Sequence, residues 1–269
     1  IQKKDWNWDM SVNGYTYANK MLNLPDEYKV SGMPNGNQRI YEGKDIYRWE
    51  MRQFAGLDEK GNSLWYMDRD LTDGEGNVVG VEKVTTGDAT EATQYLLEKS
   101  ALPDFTGGLN TTLRWKSLDL TIMTNFQFGG YGYDYDFSAF SSANFPMNRL
   151  KNYADAWNPE TGKGSAPIWN TNDSNINASS DRFLISKTYF NLRNITLGYT
   201  FPANWMSKIG IKSVRVYFAC DNVFFASKRK GYDPRTSMGG QGATVALNSV
   251  DGTYYSPIRT TSVGLNINF

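Results

Sequence analysis

The amino-acid sequence predicts an all-β fold, and within that class an antiparallel transmembrane β-barrel segment with long extracellular loops. Three observations lead to this prediction. About seven segments alternate apolar and polar residues, and each approaches the ~10 residues with which a tilted strand crosses a bilayer. The connections between these segments are of very unequal length. No run approaches the ~18 apolar residues of a membrane helix.

The clearest alternation lies in residues 261–269, where Val263, Leu265, Ile267 and Phe269 share one face of a predicted strand. Serine, glycine and asparagine occupy the other face. The same period of two recurs in five upstream segments and, more weakly, in a sixth: residues 6–12, 105–115, 118–128, 189–201, 214–218 and, the weaker one, 46–56. The tight Lys116-Ser117 turn predicts a hairpin between two of these strands.

The connections are of two kinds. Lys116-Ser117 and residues 203–211 are short, whereas the longer connections cover residues 56–103, 129–182 and 226–259. Short turns at one end and long loops at the other are typical of outer-membrane barrels. Within the long loops the sequence predicts a helix over Asp88–Ser100, with Asp88 or Thr90 near its N-cap, and a shorter one over Asn148–Trp157.

Alternation alone does not decide which face meets lipid. A soluble extracellular β-sandwich that binds carbohydrate shows the same pattern, with its apolar face buried against a second sheet. Three structural expectations separate the two. In a barrel segment residues 189–201, 214–224 and 261–269 are successive antiparallel neighbours. The faces of Leu118, Leu120 and Ile122 and of Val263, Leu265 and Ile267 are exposed in the isolated chain. The first and last strands do not pair.

Composition excludes several classes of function. Lys and Arg total 28, as do Asp and Glu, so the zero net charge argues against a nucleic-acid partner. There is no histidine, and Cys220 is the single cysteine. Zinc sites and catalysis by Ser-His-Asp or Cys-His therefore cannot be built within this chain. We expect no catalytic residue, no metal, no cofactor and no enzyme activity.

Aromatic side chains beside carboxylates mark the candidate binding site. Such side chains stack on and hydrogen-bond sugars, although an aromatic loop packed on its neighbours is the simpler interpretation. The candidate substrate-binding residues are Tyr131, Tyr133, Asp134, Tyr135, Trp157 and Trp169. An acidic stretch that includes Asp68, Asp70 and Asp73 lacks calcium-loop spacing and is interpreted as a solvated turn.

Three long stretches resemble a known family. They are LPDFTGGLNTTLRWKSLDLTIMTNFQFGG (102–130), SDRFLISKTYFNLRNITLGYTFP (180–202) and VRVYFACDNVFFASKRKGYDPR (214–235). Together with AGLDEKGNSLWY (55–66) and the terminal TTSVGLNINF they resemble, in the same order, the C-terminal barrel portion of SusC/RagA-type TonB-linked outer-membrane proteins of Bacteroidetes, which are TonB-dependent transporters.

The resemblance implies a barrel of about 22 strands with an N-terminal plug. Residues 1–269 would be the C-terminal part of this TonB-dependent receptor barrel, supplying its last seven or so strands, with the plug and earlier strands absent. It also implies an outer-membrane location, and import of a nutrient such as a glycan or oligopeptide. The implied partners are a SusD-like surface lipoprotein, TonB through the absent N-terminal region, and the remaining barrel strands and plug.

Overall fold

The computed structural model describes residues 1–141, 155–169, 173, 175–228, 238–239 and 257–269. Its main element is a seven-stranded antiparallel sheet, here called the barrel sheet, whose strands pair in the order in which they occur in the chain. The strands are β1 (Gln2–Lys3), β2 (Trp6–Tyr15), β10 (Phe105–Trp115), β11 (Leu118–Phe128), β14 (Tyr189–Thr200), β15 (Ser213–Ser227) and β17 (Thr260–Asn268).

The connections at one end of the barrel sheet fold into three smaller sheets, here called the loop layer. The first contains β3 (Met33–Asn35), β4 (Gln38–Ile40), β5 (Arg48–Arg52) and β9 (Gln94–Ser100). The second contains β6 (Phe54–Leu57), β7 (Ser63–Thr72) and β8 (Val78–Thr86). The third contains β12 (Tyr131–Asp134), β13 (Leu184–Ser186) and β16 (Met238–Gly239).

Helices are few and short in the ranges that the structure describes. The α-helices are α1 (Tyr135–Phe140) and α2 (Ala203–Met206), and single 3-10 turns cover Asp26–Tyr28, Asp181–Phe183 and Ser207–Ile209. Across the described residues, no helix has the length and apolar character needed to cross a membrane.

The pairing of the barrel sheet confirms two of the three expectations. β14 pairs with β15, and β15 pairs with β17, both antiparallel. β2 pairs with β1 and β10, whereas β17 pairs with β15, so the first and last strands lie at opposite edges of an open sheet. The described sheet therefore does not close on itself into a small barrel.

The outer face of the barrel sheet is apolar and uncovered, which confirms the third expectation for its edge. Val263, Leu265 and Ile267 are 77%, 57% and 41% exposed. On the central strand β11, Leu118 is exposed, while Leu120 and Ile122 are half-buried because paired strands flank them on both sides. An apolar face of this kind fits contact with lipid, because exposing so much apolar surface to water is unfavourable.

The buried core lies in the loop layer. Its larger cluster comprises Trp49, Met51, Leu97, Ala101, Tyr133, Phe183 and Leu184. A second, smaller cluster surrounds Trp65, which is completely buried. None of these residues belongs to the barrel sheet. A sandwich would bury the apolar face of its main sheet instead, so the soluble-sandwich alternative is not favoured.

Aromatic residues mark both ends of the outer face. At the short-turn end Trp6 lies opposite Trp115, and Tyr199 lies opposite Leu118. At the end near the loop layer the aromatic residues are Phe105, Phe126, Phe128 and Phe190, and the rings of Phe105 and Phe126 stack with centroids 6.0 Å apart. Two aromatic belts flanking an apolar band are typical of outer-membrane barrels.

Two expectations about the loops are wrong. Asp88–Ser100 is not a helix, because the Asp88 side chain accepts hydrogen bonds from the Thr90 amide and hydroxyl in a local turn, and β9 follows. Residues 46–56 do contain strands, but these are β5 and β6 of the loop layer, not a barrel strand. The short β1 is the seventh strand of the barrel sheet. The helix expected over Asn148–Trp157 lies largely outside the described residues.

Candidate functional site

The inner face of the barrel sheet, opposite the apolar outer face, is polar and is here called the wall. At mid-height the hydroxyls of Thr112 and Thr121 approach to 3.1 Å across paired strands. Nearer the short turns, Arg114 forms an ion pair with Asp9 at 3.0 Å. These side chains all alternate with the apolar outer-face residues, so the same period of two supplies both the lipid contact and the polar wall.

A second ion pair crosses three strands of the wall. The Arg215 guanidinium donates to both carboxylate oxygens of Asp119, with Nε–Oδ1 and Nη2–Oδ2 distances of 3.0 and 2.5 Å. A two-bond pair of this kind holds a fixed geometry. A shallow cavity of ≈ 480 Å³ surrounds it on the inner face. Its lining comprises Thr112, Arg114, Lys116, Ser117, Leu118, Asp119, Thr121, Thr200 and Arg215.

Gly198 leaves the space that this ion pair occupies. It lies between Asp119 and Tyr217 in the paired strands, and a Cβ added there would overlap both Arg215 and Asp119. We expect Gly198→Val to displace the pair and to lower the free energy of unfolding by about 1–3 kcal/mol, because the added side chain has no free volume. Thermal unfolding of the purified protein in detergent measures this loss.

The background that lacks the ion pair is the control for Gly198→Val. In a protein that carries Asp119→Asn and Arg215→Gln, the glycine substitution should cost clearly less. Without the ion pair, the side chains at 119 and 215 are free to move away from the new side chain at 198. An equal cost in both backgrounds would show that backbone effects at Gly198 dominate.

Two of the candidate binding residues lie in the core of the loop layer. Tyr133 is 3% exposed, its hydroxyl lies 3.1 Å from the Ser138 hydroxyl, and burial raises its pKa. Asp134 is 1% exposed and caps α1, where its carboxylate accepts a hydrogen bond of 3.0 Å from the Phe137 amide. Both therefore position the loop that carries the neighbouring aromatic residues.

Tyr131 and Tyr135 lie nearer the surface of the same segment. Tyr131 is half-buried, with the Lys99 ammonium 5.4 Å from its ring centroid. Its carbonyl accepts a hydrogen bond from the Trp49 indole. Tyr135 is 44% exposed and meets the Tyr133 ring edge-on at 4.7 Å. β12 and the start of α1 thus present one packed and one open aromatic ring side by side.

Trp157 and Trp169 are held near the turn between β6 and β7. A Cβ at Gly61 would overlap the Trp157 indole, so this ring packs directly on the glycine. The Ile168 amide donates to the Gly61 carbonyl at 2.8 Å, which holds the neighbouring Trp169 close to the same turn. Trp157 is half-buried, whereas Trp169 is 46% exposed. The structure thus groups the tyrosines on one segment and the tryptophans on another.

The sequence interpretation missed a cation–aromatic cluster in the loop layer. The Lys83 ammonium lies 4.4 Å from the ring centroids of both Tyr66 and Tyr95, and it donates to Gln53 at 2.6 Å. The Tyr95 hydroxyl donates to Asp68 at 2.6 Å. This cluster fixes the β7–β8 hairpin against β9. The available signal in the sequence was the acidic Asp68 and the basic Lys83, which lie opposite each other in the β7–β8 hairpin. The sequence predicts a helix for the segment that forms β9, so it does not bring Tyr95 to this pair.

Tyr95 predicts a loss of stability at alkaline pH. Burial, followed by the hydrogen bond to Asp68, raises its pKa from 10.0 to about 12. Because the folded-state pKa lies above the unfolded value, this contribution is complete below pH 10 and is lost as the pH rises towards 12. We expect Tyr95→Phe to flatten the decline in unfolding midpoint over that window. Identical declines in both proteins would contradict this assignment.

Among the described residues no group of three or more His, Cys, Asp or Glu side chains is arranged to hold a metal ion. Asp73 instead closes the β7–β8 hairpin, where its Oδ1 accepts from the amides of Glu75 and Asn77, both at 2.9 Å. These backbone bonds lower the pKa of Asp73. The interpretation as a turn is therefore confirmed for Asp73 and is wrong for Asp68 and Asp70, which lie in β7.

Comparisons with known proteins find similarity to TonB-dependent receptors. It is 24% identical over 290 residues to TonB-dependent receptor P3 of Formosa agariphila, covering 100% of this chain and 27% of that receptor. It is 25% identical over 276 residues to TonB-dependent receptor SusC of Bacteroides thetaiotaomicron, covering 100% of this chain and 25% of SusC. The chain thus spans about a quarter of the length of these relatives. No protein-family model matches it.

The fold leads to the same group of proteins. The structure of the RagAB peptide transporter superposes with a TM-score of 0.75 at 25% identity, covering 100% of this chain and 28% of that one. The RagAB peptide importer in its open-open state gives a TM-score of 0.72 at 23% identity, which supports the fold alone. The predicted fold class, the family resemblance and the outer-membrane location are confirmed.

Proposed function

Because this chain resembles SusC/RagA-type TonB-linked outer-membrane proteins over its whole length, in sequence and in fold, we propose that it is part of the wall and extracellular loop layer of a nutrient importer. In this proposal residues 1–269 are the C-terminal part of a larger barrel, whose remaining strands and plug complete the lumen. The chain carries out no covalent chemistry.

The observation that carries the proposal is that one face of the barrel sheet is apolar and the other is polar. The outer face offers exposed Val263 and Leu265 to lipid, whereas the inner face carries the Arg215–Asp119 and Arg114–Asp9 pairs. A polar wall backed by an apolar face fits a water-filled passage through a bilayer. An open sheet of seven strands is too small to enclose such a passage, so further strands are needed.

Transport in this proposal depends on two proteins. A SusD-like surface lipoprotein would cap the loop layer, and TonB would supply energy from the periplasmic side through the N-terminal region. The similar RagAB structure is that of a peptide transporter, and SusC is a TonB-dependent receptor by name, which supports this kind of system. The substrate class proposed is a glycan or an oligopeptide.

We propose that substrate meets the exposed aromatic rings of the loop layer. Tyr135 and Trp169 are 44% and 46% exposed, and Tyr131 and Trp157 lie half-buried beside them in their segments. Open rings can stack on sugar faces or on aromatic and proline side chains of a peptide. Tyr133 and Asp134 would act indirectly, because they hold the turn into α1 in place.

Uptake by whole cells tests the proposal. The complete protein, with its partner lipoprotein, would be expressed in a host that lacks its own system, and uptake of labelled oligosaccharides and oligopeptides would be measured. We expect saturable uptake of one class that stops when TonB is removed. Uptake that persists without TonB would refute the energised mechanism.

The aromatic site has its own test in the same cells. Tyr135→Ala combined with Trp169→Ala should lower uptake at limiting substrate by about tenfold, since each stacked ring is worth ~0.5–1.5 kcal/mol. Trp115→Ala is the matched control, because this aromatic residue is 53% exposed on the outer face, away from the lumen. Equal uptake by the loop variant and the control would remove these residues from the binding site.

A further inference from the structure

The connection between β14 and β15 is larger than a turn needs to be. The other short connection, between β10 and β11, takes two residues, Lys116 and Ser117. The β14–β15 connection instead folds into α2 and a 3-10 turn, which closes when the Ile211 amide donates to the Met206 carbonyl at 3.2 Å. Gly210 allows this return because its φ of 74° is left-handed. We call residues 203–212 the foot.

The foot carries a large apolar side chain that the described part of the chain leaves uncovered. Trp205 is 58% exposed, although an indole gains more than most side chains from leaving water. Trp205 lies in the first turn after Pro202, and its amide donates to the Pro202 carbonyl at 3.0 Å. The local fold therefore holds the tryptophan backbone in place and leaves the ring outside.

The foot is also a small cationic surface. Its two charged residues are Lys208 and Lys212, and residues 203–212 contain no Asp or Glu. Both lysines are exposed. Neither forms an ion pair within the described part of the chain. The charge of the foot is therefore available to an anionic partner.

The position of the foot narrows the choice of partner. It continues directly from the lipid-facing surface: Tyr199 and Phe201, whose rings meet edge-on at 5.2 Å, lead into it from β14. Val214 and Val216 leave it along β15, on the face that also carries Ile267 of β17. It thus lies at the short-turn end, where the aromatic belt of Trp6, Trp115 and Tyr199 marks the boundary of the apolar band.

We propose that the foot is a phospholipid-binding element of the periplasmic leaflet. The Trp205 indole lies in the interface between acyl chains and headgroups, where an amphipathic ring is most stable. The ammonium groups of Lys208 and Lys212 bind lipid phosphates, and anionic phosphatidylglycerol is preferred over zwitterionic lipid. The inference depends on the membrane placement in the proposed function, and it adds a lipid site that transport itself does not require.

Spin labels test the placement. In the complete protein, with Cys220 and every other native cysteine replaced by serine, single cysteines at Trp205, Val263 and Val79 would be labelled in nanodiscs. Collision rates with oxygen and with a water-soluble nickel complex would be compared. Val263 is 77% exposed on the outer face and Val79 is 66% exposed in the loop layer. We expect position 205 to favour oxygen, as position 263 does, and position 79 to favour nickel.

The three labelled positions distinguish lipid contact at the foot from the membrane placement of the barrel sheet as a whole. A label at 205 that favours nickel while 263 favours oxygen would overturn the foot and leave the membrane wall intact. Nickel access at both 205 and 263 would overturn the membrane placement itself. A label at 205 shielded from both reagents would mean that protein covers the foot, which also overturns lipid binding.

Lipid selectivity tests the lysines. Native mass spectrometry of the complete protein from nanodiscs with equal phosphatidylglycerol and phosphatidylcholine would count retained lipids. Lys208→Gln with Lys212→Gln should lower the retention of phosphatidylglycerol by about fivefold for each lysine removed. The control is Lys60→Gln with Lys163→Gln, two lysines of the loop region, which should change nothing. Equal retention in both pairs would overturn the phosphate site.

Discussion

Ile122→Arg is expected to prevent stable insertion of the barrel into a bilayer. Ile122 lies near the middle of β11 and pairs with Ile195 of β14 on the outer face. An arginine on the lipid face near the bilayer midplane costs about 2–4 kcal/mol. That is a large part of the usual ~5–15 kcal/mol of stability, so the folded fraction should fall sharply. The measurements are the amount of heat-modifiable folded protein in outer membranes and urea unfolding in vesicles.

Met123→Arg is the matched control for this prediction. Met123 is the next residue on the same strand, at almost the same depth, but it points to the inner face, where it pairs with Asn110 and is 39% exposed. An arginine there would reach water in the lumen, so insertion should be close to normal. If both variants insert equally well, or if Met123→Arg is the more harmful, the assignment of the two faces is wrong.

The contrast between Ile122 and Met123 also shows why the barrel strands could be predicted from sequence. A strand with lipid on one side and a wet lumen on the other must alternate along its whole length, so the pattern carries the register with it. The hairpin of β10 and β11 therefore appears at the predicted residues, with Lys116-Ser117 as its turn. Even the apolar Met123 does not disturb the alternation of its neighbours.

Strand β5 of the loop layer was harder to predict because it is covered on both sides. In β5 the consecutive residues Trp49, Glu50 and Met51 are all buried, so no alternation remains to mark the strand. Glu50 is stabilised by Arg39 at 2.6 Å and by the Tyr41 hydroxyl at 2.8 Å. Neither partner lies in β5, so the alternation pattern of the segment does not reveal them. Burial and this hydrogen bond raise the pKa of Tyr41.

The error over Asp88–Ser100 has a local cause and a distant one. Asp88 resembles an N-cap, but its side chain satisfies Thr90 in a turn that competes with helix formation. Downstream, β9 pairs with β5, and Leu97 enters the core at 4% exposure. Tertiary packing therefore selects a strand from a segment whose own preference is ambiguous. The burial of candidate site residues could not be predicted for the same reason. Tyr133 is buried by β13 and Phe183, which are distant in the sequence, rather than by its own strand.

Phe183→Ala is expected to loosen the loop layer and to leave the barrel sheet intact. Phe183 is completely buried and meets the rings of Tyr133 and Phe137 edge-on at 5.9 and 5.3 Å. Removing a buried phenylalanine costs about 3–5 kcal/mol, because the transfer free energy is lost and a cavity remains. Hydrogen exchange of the complete protein in detergent measures the effect. Amides of β5, β9 and β12 should exchange faster, by up to a few thousandfold.

The barrel sheet should keep its protection in this variant because the cluster around Phe183 contains no barrel-sheet residue. Phe190→Ala is the control: this ring is 42% exposed on the outer face, so its loss should not accelerate exchange in the loop layer. Faster exchange of β10, β11 and β14 in Phe183→Ala would show that both layers unfold as one unit. Faster exchange in the loop layer alone would instead show that this layer has its own core. It could then rearrange while the barrel sheet stays folded.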